Sequence, residues 1–512
     1  MSKKELQGQL ELLDDSLEPS RPDRMCVSVS DLHLTDGSVG YQNLGQHTWD
    51  AFYGDIVARC QRYCIKELYF ILDGDIVDLI RTDKWAKNGI YPWQREDKTE
   101  FSRVLNEILK DIVADKHVKF FDWLKAMPQK LKDEAGVDKM EVVVLLGNHD
   151  KELICDDKAL SYFYEKALGR SLKKISEAER RWLGRMYGDE EKFLAPSSAP
   201  YLPFYFADRG FRFFTTHGQW RDATNNRSVK SKKGPGWTNK QGWKLDIWQK
   251  LEFSPFTLPC LGDVIAAGLL STFIYEAKQK LAGYNNPRLL SILDEMDLYR
   301  PTTRAPIRLL EETKAMRKKK QDVEIVRQIE DVLFGCFIRF IDWCPAVLTS
   351  RLTRILLKVV KAVLIFSRIF KIRIEIRLLK LAFKIVDSMQ GRVEFKEAKL
   401  FPAFMPEYQH YGFQIHGEGH THVPLEEEFN FGLEHPATYI NFGTWRDQIV
   451  SRKKKGYRRR SILRALYILD LNDTTEGAAS DARSFNYYTQ DILHWSDKSD
   501  NFNRSGKPQP HV

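Results

Sequence analysis

The chain has 512 residues, 79 basic against 70 acidic side chains, 43% apolar residues and 12% aromatics. That apolar share buries a sizeable core and excludes a wholly disordered chain, and at about 100–200 residues per domain the length allows two to four domains or one with a large insertion. Apolar runs stop well short of the ~18 residues of a spanning helix. The first residues lack the apolar stretch of a secretory signal, and seven cysteines occur without a CxxC pair, so the expected setting is a reducing cytoplasm.

In chain order, residues 1–22 read as a polar tail, and Met25–Ser30 predicts a buried strand running into Asp31-Leu-His33. A helical stretch follows from Thr48 to Ile65, in which Cys60 and Cys64 are assigned to packing rather than to a metal. A second strand, Leu68–Leu72, ends in Asp73-Gly-Asp75, and a third, Val142–Leu146, ends in Gly147-Asn-His-Asp150. This alternation is the α/β pattern in which ligands collect beyond the carboxyl edge of a sheet. After a polar helical stretch, Leu202–Phe206 and Phe211–Thr216 predict a hairpin that delivers His217.

From 223 to 401 the periodicity turns helical and predicts an inserted, mainly helical domain. Strands return at Tyr411–His416, leading into Gly419-His-Thr-His422, then at Thr438–Phe442 and Leu466–Leu471. The expected core is therefore in two pieces, 23–222 and 402–471, with a loosely held polar tail over 472–512.

The charge is local. Between Arg351 and Lys384 stand ten basic residues against one acid, Glu375, which matches the formal net charge of +9 of the whole chain. Leu, Ile, Val and Phe lie between these charges, and at ~100° per residue the bases from Arg351 to Arg368 share one arc and those from Arg373 to Lys384 another. Two amphipathic basic helices, or one broken near Lys371, account for this. Segment 351–384 is expected either to meet an anionic membrane surface or to pack by its apolar stripe with its charges in water.

The polar residues at strand ends are Asp31 and His33, Asp75 and Asp78, Asn148, His149 and Asp150, His217, and His420 and His422. Carboxylate, imidazole and amide groups without thiolate suit Mn, Fe, Zn or similar divalent ions. In an extended segment residues i and i+2 share a side, so Asp31 and His33 are expected to grip one ion, and His420 and His422 one ion or two neighbouring ones. Gly74, Gly147 and Gly419 precede these residues, where a missing Cβ lets backbone approach a crowded centre.

The motifs Asp31-Leu-His33, Gly74-Asp-Ile-Val-Asp78, Gly147-Asn-His-Asp150, the lone His217 and Gly419-His-Thr-His422 resemble, in type and order, the signature of the calcineurin-like metallophosphoesterase superfamily. The resemblance covers the two pieces that flank the helical insertion. It implies an αββα sandwich holding two divalent metal ions, Mn foremost with Fe or Zn as alternatives, and hydrolysis of a phosphomonoester, phosphodiester or pyrophosphate by a metal-bridging hydroxide. It puts Asp31, His33, Asp75 and His422 on the first ion. Asp75 bridges to the second, which also takes Asn148, His217 and His420. His149 is the implied acid for the leaving oxygen and Asp150 orients its imidazole, while Asp78 is read as a structural hydrogen bond within the loop.

Ser30-Asp-Leu-His-Leu34, His420-Thr-His-Val-Pro424 and Tyr439–Trp445 are most similar to the UDP-2,3-diacylglucosamine pyrophosphohydrolase-like branch. That branch tends to have Arg where His149 stands, and Asp where this chain has Gln219. The resemblance implies a lipid-linked or membrane-proximal substrate for a protein peripheral to the inner face of a membrane. The alternative is a nuclease or nucleotide phosphohydrolase, because Arg452–Arg460 packs seven basic residues into nine and Trp237, Trp243 and Trp248 lie near Lys230–Lys240. A second alternative is a non-catalytic membrane-surface or interaction module.

Overall fold

The computed structural model describes residues 23–40, 44–170, 202–208, 210–219, 222, 224–225, 257–284, 286–300, 304–318, 323–347, 351–369, 413–429, 437–451, 456–470 and 487–492. Strand β1 (Arg24–Val29) leads to helix α1 (Gln46–Tyr63) and β2 (Glu67–Asp73). Helices α2 (Lys98–Lys110) and α3 (Val118–Ala135) precede β3 (Lys139–Leu145). The hairpin β4 (Tyr205–Asp208) and β5 (Phe213–Thr216) comes next.

Helices α4 (Thr272–Leu281), α5 (Pro287–Asp294), α6 (Arg304–Lys318), α7 (Val323–Val347) and α8 (Arg351–Ile369) follow, with a two-residue strand β6 (Tyr299–Arg300) among them. The chain then returns to strands as β7 (Ile415–Glu418), β8 (Leu425–Phe429), β9 (Ala437–Asn441), β10 (Gly443–Ser451), β11 (Tyr457–Leu469) and β12 (Tyr487–Ile492).

The architecture is mixed α/β with two mixed sheets. One runs β3-β2-β1-β11-β10-β6 with β12 beside β11; the other runs β4-β5-β7-β9-β8. Side-chain alternation explains their placement. Cys26, Tyr69, Ile71, Leu145, Leu466 and Ile468 of the first sheet share one buried cluster with Phe206, Phe213, Ile415 and Ile440 of the second. Met25, Val27, Leu68, Phe70, Leu72, Ala465 and Tyr467 point the other way, into a larger cluster with the helices. The parallel β1 and β2 are thus buried on both faces, as their largely apolar runs require, whereas β3, at the edge of the sheet, is fully buried only from Val143 to Leu145.

The inserted helices do not keep a core of their own. Val264, Phe273, Leu293, Leu309, Phe337 and Leu357 belong to the same cluster as Phe52, Val104 and Trp445. Tyr91 and Trp93 stack on each other at 4.8 Å and meet Trp343 of α7 at 4.6 and 5.4 Å. The insertion also adds β6 in parallel to the edge strand β10. At the far end, six residues read as tail form β12, paired antiparallel with β11 from Ile492↔Leu463 to Tyr487↔Ile468. Alternation in Tyr-Tyr-Thr-Gln-Asp-Ile is too polar to announce a strand, and its partner supplies the stability. Residues 1–22, Trp237, Trp243, Trp248 and 370–412 lie outside the described residues.

Arg24 clamps the two sheets. Its guanidinium donates to Asp470 beyond β11 at 2.7 Å and to Asp208 of β4 at 2.6 Å, and it lies over the Phe211 ring at 4.6 Å. Burial alone would lower its pKa, yet the Asp208 carboxylate raises it above its ordinary value. Removing one partner of a buried pair leaves uncompensated charge. Arg24→Met is expected to cost about 3–5 kcal/mol in urea unfolding; a loss below about 1 kcal/mol would contradict the clamp.

Candidate metal centre

The site assembles where β1, β2 and β3 end, opposite the ends of β5 and β7 and the start of β10. Loop backbones extend the ladder: the Asp31 N–H donates to the Gly74 carbonyl at 3.1 Å and the His33 N–H to the Asp75 carbonyl at 2.8 Å. From β10, the Trp445 N–H and the Thr444 hydroxyl both donate to the Asp31 carbonyl, at 3.1 and 2.9 Å.

Asp31, His33, Asp75, His420 and His422 all have left-handed backbone, with φ of 55°, 47°, 53°, 65° and 59°. The expectation that Asp31 and His33 share a side because their segment is extended is therefore corrected: β1 ends at Val29, and each residue turns its side chain inward from a left-handed position. Such backbone costs roughly 1–2 kcal/mol per non-glycine residue, and it concentrates where surroundings impose it. Gly74, itself at φ +75°, lies against the His217 ring, where a Cβ would come within 2.6 Å of it. A Cβ on Gly147 would collide with Asp75.

Asp31, His33, Asp75 and His422, all buried, each offer one ligand atom, and these atoms lie within 4.8 Å of one another. Asp31 Oδ1 is 3.0 Å from His422 Nε2 and 3.5 Å from His33 Nε2; Asp75 Oδ2 is 3.7 Å from His33 Nε2. The Nε2 atoms of His33 and His422 face each other at 3.0 Å. Ligand bonds of about 2.1 Å put neighbouring donors roughly 3.0–3.4 Å apart on a tetrahedral or octahedral shell, close to this spacing.

Tautomers sharpen the fit. His33 Nδ1 donates to Asp78 Oδ2 at 3.0 Å and His217 Nδ1 to the Asp73 carbonyl at 2.8 Å, so the neutral form of each ring carries its lone pair on Nε2, aimed inward. Asp31 Oδ1 and His217 Nε2 are buried without a hydrogen bond. His217 Nε2 stands 3.2 Å from Asp75 Oδ2. The residues present fit a divalent cation.

The other expected residues lie alongside. His420 Nδ1 is 2.9 Å from Asn148 Oδ1, and its ring is 5.4 Å from that of His217. His420 Nε2 is 3.2 Å from the Asp222 carboxylate, a partner that the motifs did not announce. His420 and His422 thus serve different groups: His422 joins Asp31 and His33, whereas His420 joins Asn148.

His149 has a different partner from the one expected. Its Nδ1 donates to Asp78 Oδ1 at 2.9 Å. Asp150 instead accepts the Gly147 and Ile76 N–H groups at 2.6 and 3.0 Å, so it shapes the loop and does not orient the imidazole. The residue read as a loop tie, Asp78, holds both His33 and His149. Arg81, another group the motifs did not announce, brings a guanidinium nitrogen within 3.4 Å of His149 Nε2.

Burial is the largest influence on the shifted carboxyls and imidazoles of the site. It would raise the Asp31, Asp75 and Asp78 carboxyls, but the side chains facing them hold all three below their ordinary range: chiefly His217 at Asp31 and Asp75, and His149 with Arg81 at Asp78. Burial pushes Asp73 up to about 8, and burial with the Asp75 charge raises Asp150. It also lowers His149 and His422, whereas His217 is raised against burial by Asp75 and Asp31.

The insertion enters the site through two residues. Lys151, directly after the Gly147–Asp150 loop, donates to both Asp263 oxygens at 2.7 and 2.8 Å. Arg300 of β6 brings two guanidinium nitrogens to 3.3 and 3.2 Å from His422 Nδ1. A guanidinium only donates, so this Nδ1 accepts, whereas a cation on Nε2 requires a proton at Nδ1. Arg300 must therefore yield when His422 takes a metal. Burial and the neighbouring Arg81 charge already lower its pKa to about 9.

Among the other expectations, the Arg452–Arg460 run is described from Gly456. There Arg459 donates to Asp447 at 2.8 Å and Glu295 at 3.0 Å, and Arg460 to Gln448 at 2.9 Å, so these side chains already have partners within the fold. Gln219 donates to the Leu146 carbonyl at 2.9 Å. No protein-family model matches the chain, and no curated protein is significantly similar to it.

Arg300→Met is expected to tighten Mn²⁺ binding roughly tenfold in calorimetric titration, the low end of what residues bonded to a metal ligand contribute. Unchanged or weaker binding would contradict the competition between Arg300 and the ion.

Proposed function

We propose that this chain is a metal-dependent phosphoester hydrolase of the calcineurin-like metallophosphoesterase type, its two facing sheets and helical layer corresponding to that αββα sandwich. One observation carries the reading: Asp31, His33, Asp75 and His422, drawn from separate loops at one end of the sheets, bring their ligand atoms within 4.8 Å of one another. The orphaned Asp31 Oδ1 and His217 Nε2 atoms support it.

In this reading the first cation is held by Asp31, His33, Asp75 and His422, and the second by Asp75, Asn148, His217 and His420. Two divalent ions, Mn²⁺ foremost, would supply Lewis acidity to phosphoryl oxygens and lower the pKa of water. Asp78 fixes both His33 and His149, so one carboxylate sets a ligand and a proton-handling group together. His149, with its Nδ1 proton on Asp78, presents Nε2 as the atom that exchanges a proton with a leaving oxygen. Arg81 beside it adds a fixed positive charge for an anionic substrate. No side chain is assigned as nucleophile.

Asp75→Ala and His420→Ala are expected to lose bound metal together with hydrolysis of p-nitrophenyl phosphate or its bis ester. His149→Ala should keep the metal, measured by elemental analysis, and lose about 10²–10⁴-fold in turnover on esters with poor leaving groups. Full turnover in His149→Ala would contradict the proton-transfer role. A metal-loaded native chain that hydrolyses no phosphoester in a broad panel would contradict the hydrolase reading.

A further inference from the structure

Helix α8 (Arg351–Ile369) carries exposed apolar side chains along one face. Ile355, Val359, Val363 and Phe366 are 62%, 56%, 44% and 55% exposed. At 100° per residue they span an arc of about 80°, so they form one stripe and not four scattered side chains. The opposite side is where the helix is anchored: Leu357 is 3% exposed, and Val360 packs on the core. Lys361 reaches across to Asp342 of α7. The stripe therefore faces outward because the other face is already used.

Beside the stripe, on the adjoining arc, stand Arg354, Lys358 and Lys361. The segment that begins with this helix, Arg351–Lys384, carries ten basic residues and one acid. An apolar stripe bordered by cations matches one kind of surface well: acyl chains for the stripe, anionic headgroups for the charges. Among the described residues no helix is long and apolar enough to cross a membrane, so this helix would lie in the interface.

We propose that the exposed face of α8 docks this chain onto an anionic phospholipid surface, with Ile355, Val359 and Val363 entering the acyl boundary and Lys358 meeting headgroups. The same helix rests on α7, and the insertion that holds both reaches the metal site through Asp263 and Arg300. Docking would thus hold the site near the membrane. It does not depend on the hydrolase reading.

The test is flotation of the full chain with vesicles of phosphatidylcholine alone or with about one-third phosphatidylserine. The native chain is expected to float with the anionic vesicles and at least tenfold less with the neutral ones. A doubly substituted chain, Ile355→Asp with Val359→Asp, should bind anionic vesicles at least tenfold more weakly. Because both positions are exposed, its melting temperature and its hydrolysis of p-nitrophenyl phosphate should match the native chain. A charge-reversing Lys358→Glu should also weaken binding. Equal flotation of native and doubly substituted chains, or none by the native chain, overturns the proposal. So does a native dimer that the double substitution converts to monomer without any vesicle binding, which would make a second copy the occupant.

Discussion

The constraint behind this structure is charge balance among buried groups. Asp31, Asp73, Asp75, Asp78 and Asp150 are all buried at one end of the two sheets. Hydrogen bonds satisfy part of this: Thr215 and Ser30 serve the Asp73 side chain and carbonyl, and backbone N–H groups serve Asp150. Arg81 and Arg446 flank Asp297 close by. Asp31 Oδ1, Asp75 Oδ2 and the Nε2 atoms of His33, His217 and His422 turn toward one another. Positive charge at its centre would offset the cost of burying these carboxylates together. Five left-handed residues, each locally unfavourable, are held there by the same geometry.

Much of this was legible in the sequence, for a physical reason. Buried parallel strands write themselves as apolar runs, and polar residues just past their ends mark the edge where ligands gather. Asp31, His33, Asp75, Asn148, His217, His420 and His422 were all visible that way. Backbone handedness was not: nothing in Asp-Leu-His distinguishes an extended segment from two left-handed turns, and loop hydrogen bonds to Gly74 and Asp75 decide it. The exchange of roles between Asp78 and Asp150 was hidden for a similar reason. Asp150 adjoins His149 in sequence, but its carboxylate is drawn to the N–H groups of Gly147 and Ile76, which leaves the imidazole to a residue seventy-one positions away.

The insertion was the least legible part. Helical periodicity announced the helices, but not that their apolar faces would merge with the helical layer over the first sheet. Nor did any pattern mark Tyr299–Arg300 as a strand, since two residues carry no period. Its pairing with β10 brings Arg300 to His422. The buried Lys151–Asp263 pair makes a second junction, so the inserted helices form part of the wall of the site. Their outward face, on α8, carries apolar side chains where a purely structural helix would carry polar ones.

The most direct measurement is the number of Mn²⁺ ions taken up by the metal-stripped full chain in a calorimetric titration. The account predicts two per chain, accompanied by proton release as imidazoles give up protons to bind, and a rise in thermal stability as the buried carboxylates gain their counter-charge. A chain that takes up none, and melts at the same temperature with and without the ion, would contradict it.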